Sequence, residues 1–482
     1  MSDFRPVLYV IGVLLCLTSL AMNLPMIIDL AYGHRDWQVF LVSSIFTLII
    51  GIILIFSFNN PIKKIDIKQA FLLTVLSWIS ISLFSAIPFM YCETQLTFTN
   101  SFFESISGVT TTGSTVIIGL DNLPKGILLW RSLLQWFGGI GIVVLALSIL
   151  PMLRVGGMQL FHLESDDPYE KTLPKISKFI YEICILYLFL TIICALLYFL
   201  SGMSWFDSIT HSMTTLATGG FSTSDQSFSK FNSNSIEWIC ITFMILGSLP
   251  FALYLKSLHG NIGSLFRDDQ IKLFFGIIIF LIFSMTLWLI IISNQSIITS
   301  IRESSFNIIS ILTGTGYSST NFNLWGSFGL IVLFIIMFIG GCAGSTTGGI
   351  KIFRLQLLLG AGRTQIKKLI QPHGVFVTTF NKKTIKEDAF TSVMGFFFLY
   401  IALFSLSAML LGFMGIDFLT AISASASAIS NVGPGLGNII GPSGTYNPLP
   451  DPAKWVLSLT MIIGRLEIFT FLVLFSKNFW RT

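Results

Sequence analysis

The chain has 482 residues, of which 53% are hydrophobic and only 11% charged, with 46 Phe and a formal net charge of +5; its mean hydropathy is +0.82. A water-soluble fold needs about 25% charged residues to solvate its surface, so a soluble enzyme, a nucleic-acid binder and a disordered chain are excluded. What remains is an all-α polytopic membrane protein.

Ten apolar stretches are long enough to cross roughly 30 Å of hydrocarbon: 7–31, 38–58, 69–91, 126–150, 176–201, 236–256, 271–293, 325–350, 389–413 and 453–476. The first has only Arg5 ahead of it and no small-residue cleavage site before Asp29, so it reads as a retained span rather than a signal peptide. It forms a leading pair with the second, over residues 1–60. The rest of the chain divides into four units, 61–155, 156–260, 261–365 and 366–482. Each unit holds a span, a short semi-polar segment and a second span. The short segments, 100–111, 206–218, 303–314 and 418–430, are too short to cross and too apolar for ordinary loops. That length suits re-entrant helices, which exist at membrane depth only against protein or a water-filled cavity. Cys16, Cys92, Cys184, Cys194, Cys240 and Cys342 include no CxxC pair, and the five histidines have no metal-ligand spacing.

With both termini on the cytoplasmic side, 21 Lys and Arg fall inside, 6 outside, and Arg465 within the last span. The positive-inside rule favours that orientation. Acidic residues divide evenly, 11 on each side with Glu467 inside the last span. The outer face is therefore net negative, which concentrates cations at a pore mouth.

The four short segments align without gaps on Gly113, Gly220, Gly316 and Gly433. Six residues ahead of each glycine stands a small hydroxyl side chain, Ser107, Thr214, Ser310 and Ser427. Repetition at a fixed offset carries more weight than a single motif. A re-entrant helix must stop halfway and climb back extended, and glycine supplies the positive φ for that reversal. The residues beside each glycine are Thr111-Thr112, Thr218-Gly219, Gly314-Thr315 and Asn431-Val432. They are expected to turn carbonyl oxygens inward, giving stacked oxygen rings that replace the hydration shell of an alkali cation. The helix C-termini aimed at the same centre add partial negative charge.

The motifs SFFESISGVTTTGST, LLQWFGGIGIVVLALSILPMLRVGGMQL, ATGGFST, FIGGCAGSTTGGIKI, SNVGPGLG and GRLEIFTFLVLF resemble the potassium-translocating subunits of the bacterial Trk/Ktr/HKT superfamily, and its TrkH branch most closely. The resemblance covers nearly the whole chain, and the two leading spans match that branch's extra pair. It implies four membrane–pore–membrane units around one ion path, with Gly113, Gly220, Gly316 and Gly433 as filter glycines and K⁺ as the transported ion. Each unit here keeps only the glycine of the TVGYG sequence found in potassium channels. The resemblance further implies a homodimer in the bacterial inner membrane, seated on a cytosolic TrkA-like nucleotide-binding regulatory ring. Any nucleotide would then be bound by that ring and not by this chain, and no nucleic-acid partner is implied.

The eighth stretch is interrupted by Gly340-Gly341-Cys342-Ala343-Gly344-Ser345-Thr346-Thr347-Gly348-Gly349. Each glycine costs a helix about 1 kcal/mol relative to Ala, so this run is expected to leave the helix and hang beneath the glycine turns. The resemblance agrees, placing an intramembrane gating loop here. A phosphate-binding loop fails on spacing, because no Lys-Ser/Thr follows a glycine. Arg465 lies about halfway along the last span, where a charge faces a cavity or partner. It is expected to hold the glycine-rich loop by donating to its carbonyls, with Glu467 on a different helix face. Eight Lys and Arg between Lys351 and Lys386 fit either the inside rule or docking of a cytosolic regulator. The functional expectation is gated, channel-like K⁺ uptake. The alternative is a K⁺/H⁺ or K⁺/Na⁺ symporter, for which only Glu467 and Glu104 offer intramembrane carboxylates. A membrane enzyme would need a convergent acid, base, metal or nucleophile cluster, and none is present.

Overall fold

The computed structural model describes residues 4–58, 66–148, 173–261, 263–293, 295–374, 376–377, 379–381, 383–384 and 387–481. Lys63, Lys64, Arg154, Lys171, Lys382 and Lys386 of the basic inner segments, and residues 149–160 of the second motif, lie outside the described residues.

The leading pair is α1 (Arg5–Tyr32) and α2 (Trp37–Ser57). A proline in its first turn starts α1, and Gly33 in the left-handed region, φ 75°, ends it. The two helices touch through small residues: a Cβ on Gly12 would stand 2.8 Å from the Gly51 carbonyl oxygen. Ser19 and Ser44 bond across the same seam at 3.0 Å, the kind of contact that joins helices where lipid offers no hydrophobic drive. Leu17, Leu20, Ile53 and Phe56 stay exposed on the outer faces, as lipid-facing side chains do.

The first unit has α3 (Ile67–Ser85), α4 (Ile87–Tyr91), the short α5 (Phe98–Val109) and α6 (Lys125–Ser148). The second has α7 (Leu173–Leu200), short α8 (Trp205–Leu216), α9 (Asn234–Ser248) and α10 (Phe251–Leu258), followed by α11 (Gly263–Arg267). The third has α12 (Asp269–Ser293), short α13 (Ile297–Leu312), α14 (Gly326–Met337) and α15 (Ile352–Ile370). A two-residue hairpin, β1 (Thr379–Phe380) with β2 (Lys383–Thr384), leads to the fourth unit. That unit has α16 (Glu387–Phe413), short α17 (Phe418–Ser430), α18 (Asp451–Arg465) and α19 (Ile468–Leu472), and α20 (Lys477–Arg481) closes the chain. All four short helices begin in the same way. The side chains of Thr97, Ser204, Ser296 and Asp417 accept from the backbone N–H three residues on. This satisfies one of the orphan donors at each helix start.

The ten apolar stretches do not all form single straight helices. Seven helices among the described residues are long and apolar enough to cross a membrane, or up to 9 if two bent pairs each count as one span. The span over 236–256 breaks at Leu249-Pro250, and α9 and α10 meet at 91°; proline removes a helix donor and clashes with the turn before it. The stretch 325–350 leaves the helix after Met337, ahead of the glycine-rich run, and the basic segment that follows forms α15. The last span bends by 114° at Leu466-Glu467, where Glu467 takes a φ of 64°. In the first unit α6 runs unbroken to Ser148. The breaks of the second and third units satisfy each other: Cys342 N–H donates to the Ser248 carbonyl at 3.0 Å, Phe251 N–H to the Gly344 carbonyl at 3.0 Å.

Candidate functional site

Each short helix ends in the same backbone turn. The residue two before the glycine is left-handed in every unit: Thr111 at φ 52°, Thr218 at 49°, Gly314 at 70°, Asn431 at 56°. The glycine is left-handed again: Gly113 at 88°, Gly220 at 79°, Gly316 at 80°, Gly433 at 106°. Between them, the N–H of Thr112, Gly219, Thr315 and Val432 reaches back to the carbonyl of Ser107, Thr214, Ser310 and Ser427, at 2.8, 2.9, 2.8 and 3.0 Å. This is the six-to-one bond of a Schellman helix end. The hydroxyl residue six before each glycine is therefore part of the turn through its carbonyl. Its side chain also serves in two units: Ser310 Oγ donates to Tyr317 O at 2.7 Å and Ser427 Oγ to Gly433 O at 2.9 Å.

The four turns meet in a closed cycle. A Cβ on Gly113 would stand 2.2 Å from the Gly219 carbonyl oxygen, and one on Gly220 1.8 Å from that of Thr315. One on Gly316 would stand 2.0 Å from the Val432 oxygen, and one on Gly433 2.7 Å from the Thr112 oxygen. First unit thus touches second, second touches third, third touches fourth, and fourth touches first. Asn431 Nδ2 seals the last join by donating to Thr112 Oγ1 at 2.9 Å. The approach is closer than any L side chain permits, so glycine is needed at these positions for both φ and space.

The cycle is not fully fourfold. The oxygens of Thr112, Thr315 and Val432 accept no hydrogen bond among the described residues, whereas Gly219 O accepts from Gln135 Nε2 at 2.6 Å. Gln135 also accepts from Phe221 N–H at 3.0 Å, so one buried amide on α6 fixes both sides of the second turn. Gly433 O accepts from the hydroxyls of Ser114, Ser427 and Tyr446, each at 2.9 Å, and these hold it within the protein.

Behind the turns, the short helices brace the extended strands that follow them. Glu104 is fully buried and bonds Arg131 Nε at 2.8 Å, Thr115 Oγ1 at 3.0 Å and Val116 N–H at 2.9 Å. At the equivalent place in the second unit, His211 Nε2 pairs with Ser222 Oγ at 3.1 Å. In the third, Asn307 Nδ2 donates to Ser319 Oγ at 3.1 Å and to Thr320 Oγ1 at 3.3 Å. In the fourth that place is Ala424, and its neighbour Ser423 takes over, accepting from Leu436 N–H at 3.0 Å. At the start of α17 the Thr420 N–H holds the Asp417 carboxyl below the usual carboxylate range.

Directly beneath lies the glycine-rich segment Gly340–Gly349, buried except at Gly349. Thr346 Oγ1 donates to Leu216 O at 3.1 Å and Gly247 O at 3.0 Å, and pairs with Thr218 Oγ1 at 3.1 Å. A Cβ on Gly348 would stand 2.2 Å from Ser430 O, and one on Gly344 3.3 Å from Leu147 of α6. Gly348 N lies 3.7 Å from where a Cβ on Gly314 would be. The segment thus touches all four units. Gly340 N–H bonds Ile350 O at 2.9 Å, which closes its neck, and Gly341 N–H bonds Thr347 Oγ1 at 3.0 Å. Ser345 Oγ pairs with Thr347 Oγ1 at 2.8 Å.

Arg465 reaches this level, but the expected tether is absent. It is buried and shares a cavity wall with the loop, yet none of its three guanidinium nitrogens has a hydrogen-bond partner among the described residues. The bend at Leu466-Glu467 ends α18 at Arg465, so the side chain leaves from a helix terminus rather than from mid-span. The cation that does hold the loop is Lys351, whose Nζ donates to Thr347 O and, at 3.0 Å, to Thr347 Oγ1. Glu467 pairs instead with Arg354 at 2.6 Å. Gln135, Lys351 and the Arg354–Glu467 pair were not singled out from sequence. For Glu467 the signal was its place within an apolar stretch, where a carboxylate needs a partner.

Comparison with known proteins is consistent along the whole chain. A family model described as TrkH, cation transport protein, matches residues 36–482. The Trk system potassium uptake protein TrkI of Halomonas elongata is 40% identical over 480 residues, covering 99% of this chain and 97% of that protein. The Trk system potassium uptake protein TrkH of Escherichia coli K12 is 36% identical over 484 residues, 99% of each. The crystal structure of the potassium transporter TrkH from Vibrio parahaemolyticus superimposes with a TM-score of 0.91 at 35% identity, over 100% of both chains. With a family match over residues 36–482, relatives that cover nearly the whole chain and a shared fold, this chain belongs to the TrkH family of cation transport proteins.

Proposed function

We propose that this chain is the membrane subunit of a bacterial potassium uptake system and conducts K⁺ through a channel-like path down the membrane potential. One observation carries the reading: the closed cycle of four glycine turns, Gly113 to Gly220 to Gly316 to Gly433, each pressed on the next unit's main-chain oxygen. With left-handed residues at the first and last position of each turn, Thr111 to Gly113, Thr218 to Gly220, Gly314 to Gly316 and Asn431 to Gly433 would form the selectivity filter. Oxygen dipoles placed in this way replace the water that the ion must shed. The relatives named above are potassium uptake proteins, which favours K⁺ as the cargo.

The loop Gly340–Gly349 would be the gate. It fills the space under the turns, tied to the second unit through Thr346, Cys342 and Gly344, and displacing it would open the path. Lys351 ties the loop in place, and Arg465 adds a positive barrier below the filter. We take the four units 61–155, 156–260, 261–365 and 366–482, after the leading pair 1–60, as the repeats around this path. Both termini would face the cytoplasm of the inner membrane, in a homodimer that docks through its basic face on a TrkA-like nucleotide-binding ring. A symporter driven by protons is the weaker reading: Glu104 is committed to Arg131 and Glu467 to Arg354, so neither is free to carry a proton through each cycle.

Purified protein in proteoliposomes tests the proposal, with K⁺, Na⁺ and the pH gradient varied separately. Flux that follows voltage at zero proton gradient is expected, as is a higher basal flux for Arg465→Ala. Flux that requires a proton or Na⁺ gradient would replace the channel reading with the symporter.

A further inference from the structure

Arg465 is 3% exposed, and its three guanidinium nitrogens find no acceptor among the described residues. It lines a cavity of about 30 Å³ together with Lys351, Arg354, Glu467 and the loop residues Ser345 and Thr347. The remaining wall is glycine backbone and the apolar side chains of Ile142, Ala146 and Phe396. Three cationic side chains therefore face one carboxylate. Glu467 is taken by Arg354 and Lys351 by Thr347, which leaves Arg465 without a counter-charge. Tyr187 OH does not supply one, because it donates to Trp136 O at 3.1 Å. A guanidinium presents five N–H donors in a fixed fork and cannot shed its proton. Buried and unpaired, it is costly. Water would satisfy its hydrogen bonds but leave the surplus positive charge in place.

We infer that this cavity is a binding site for a small inorganic anion of halide size, seated between Arg465 and Lys351. A volume of about 30 Å³ is room enough for a water-sized particle and admits chloride. The bound anion joins the loop, through Lys351 and Thr347, to the end of α18. It latches the loop under the glycine turns. Without it, Lys351 and Arg465 face each other as like charges across the cavity, and the loop loosens. The binding site stands on the cavity and the unpaired guanidinium alone; the latching effect rests on the gate reading given above.

Two measurements separate those parts. Diffraction from crystals of the wild-type protein grown with bromide in place of chloride should show an anomalous peak within hydrogen-bonding reach of Arg465. Only ordered water at that place would overturn the site. In detergent, the unfolding midpoint should rise by a few degrees as chloride replaces gluconate at constant ionic strength, and Arg465→Gln should lose that rise. A chloride response undiminished in Arg465→Gln, or a bromide peak seen only at molar halide with no chloride response, would equally overturn it. Basal K⁺ flux in proteoliposomes should then increase severalfold when gluconate replaces chloride on the cytoplasmic side. A bromide peak with unchanged flux would keep the site and refute the latch.

Discussion

Replacing Gly220 by alanine isolates the contact on which the ion path rests. The added Cβ would lie 1.8 Å from the Thr315 carbonyl oxygen, whereas real Cβ atoms essentially never approach below 3.0 Å. The oxygen must therefore retreat by about 1.2 Å. Ion–dipole attraction falls with the square of distance, so an oxygen moved from roughly 2.8 to roughly 4 Å from a cation keeps about half its pull. The left-handed backbone adds about 1–2 kcal/mol of strain for any L side chain. A loss of about 3 kcal/mol at the ion slows flux by about a hundredfold. Gly119→Ala is the control, since Gly119 has the same φ of 79° with nothing within 4 Å of its Cβ; it carries the strain without the collision and should conduct normally. Severity should follow the contacts, with Gly220→Ala, Gly316→Ala and Gly113→Ala near-inactive and Gly433→Ala, whose Cβ stands at 2.7 Å, retaining the most. Uptake of Rb⁺ into proteoliposomes, scaled to folded protein, reads the series. Wild-type uptake by Gly220→Ala, or equal loss in Gly119→Ala, would refute the reasoning.

Breaking the buried pair with Glu104→Gln leaves Arg131 uncompensated and should cost about 3–5 kcal/mol, seen as a lower unfolding midpoint in detergent; Glu104→Gln with Arg131→Met should recover part of it. Gln135→Leu removes the bonds to Gly219 O and Phe221 N–H and should cost about 1–3 kcal/mol. It should also lower the K⁺ over Na⁺ flux ratio, because one wall of the cycle is no longer held. Asp417→Ala deletes the cap of α17 and should cost about 1 kcal/mol. Because this carboxyl's pKa is depressed in the folded protein, its contribution is full above the ordinary value near about 4. It is lost as pH falls through the lower folded value, so wild-type and variant stabilities should converge only in strong acid.

The repeat and its glycines were legible because they are local patterns: a hydroxyl residue, six positions, a glycine, four times over. The caps Thr97, Ser204, Ser296 and Asp417 are equally local, although they were not singled out from sequence. The bends were not. A hydropathy window reports that a stretch is apolar, not that it is straight, so 453–476 read as one helix although it turns at Leu466-Glu467. Pro250 was a visible signal for the bend in 236–256 that the length of the apolar run masked. Contacts between distant segments left no trace in spacing: Gln135 and Gly219, or Arg354 and Glu467, meet only because two units pack together. Arg465 was found as a costly charge, but its environment depended on the bend one residue later. Lys351 looked like the first of a cytoplasmic basic run, whereas its side chain turns back to Thr347.

The most direct test of the account is anomalous diffraction from crystals of this protein grown in Rb⁺ or Tl⁺. The account predicts a peak on the axis between Gly113, Gly220, Gly316 and Gly433, surrounded by the main-chain oxygens of Thr112, Thr315 and Val432. A cation found only beside carboxylate side chains, with nothing between the four glycine turns, would contradict it.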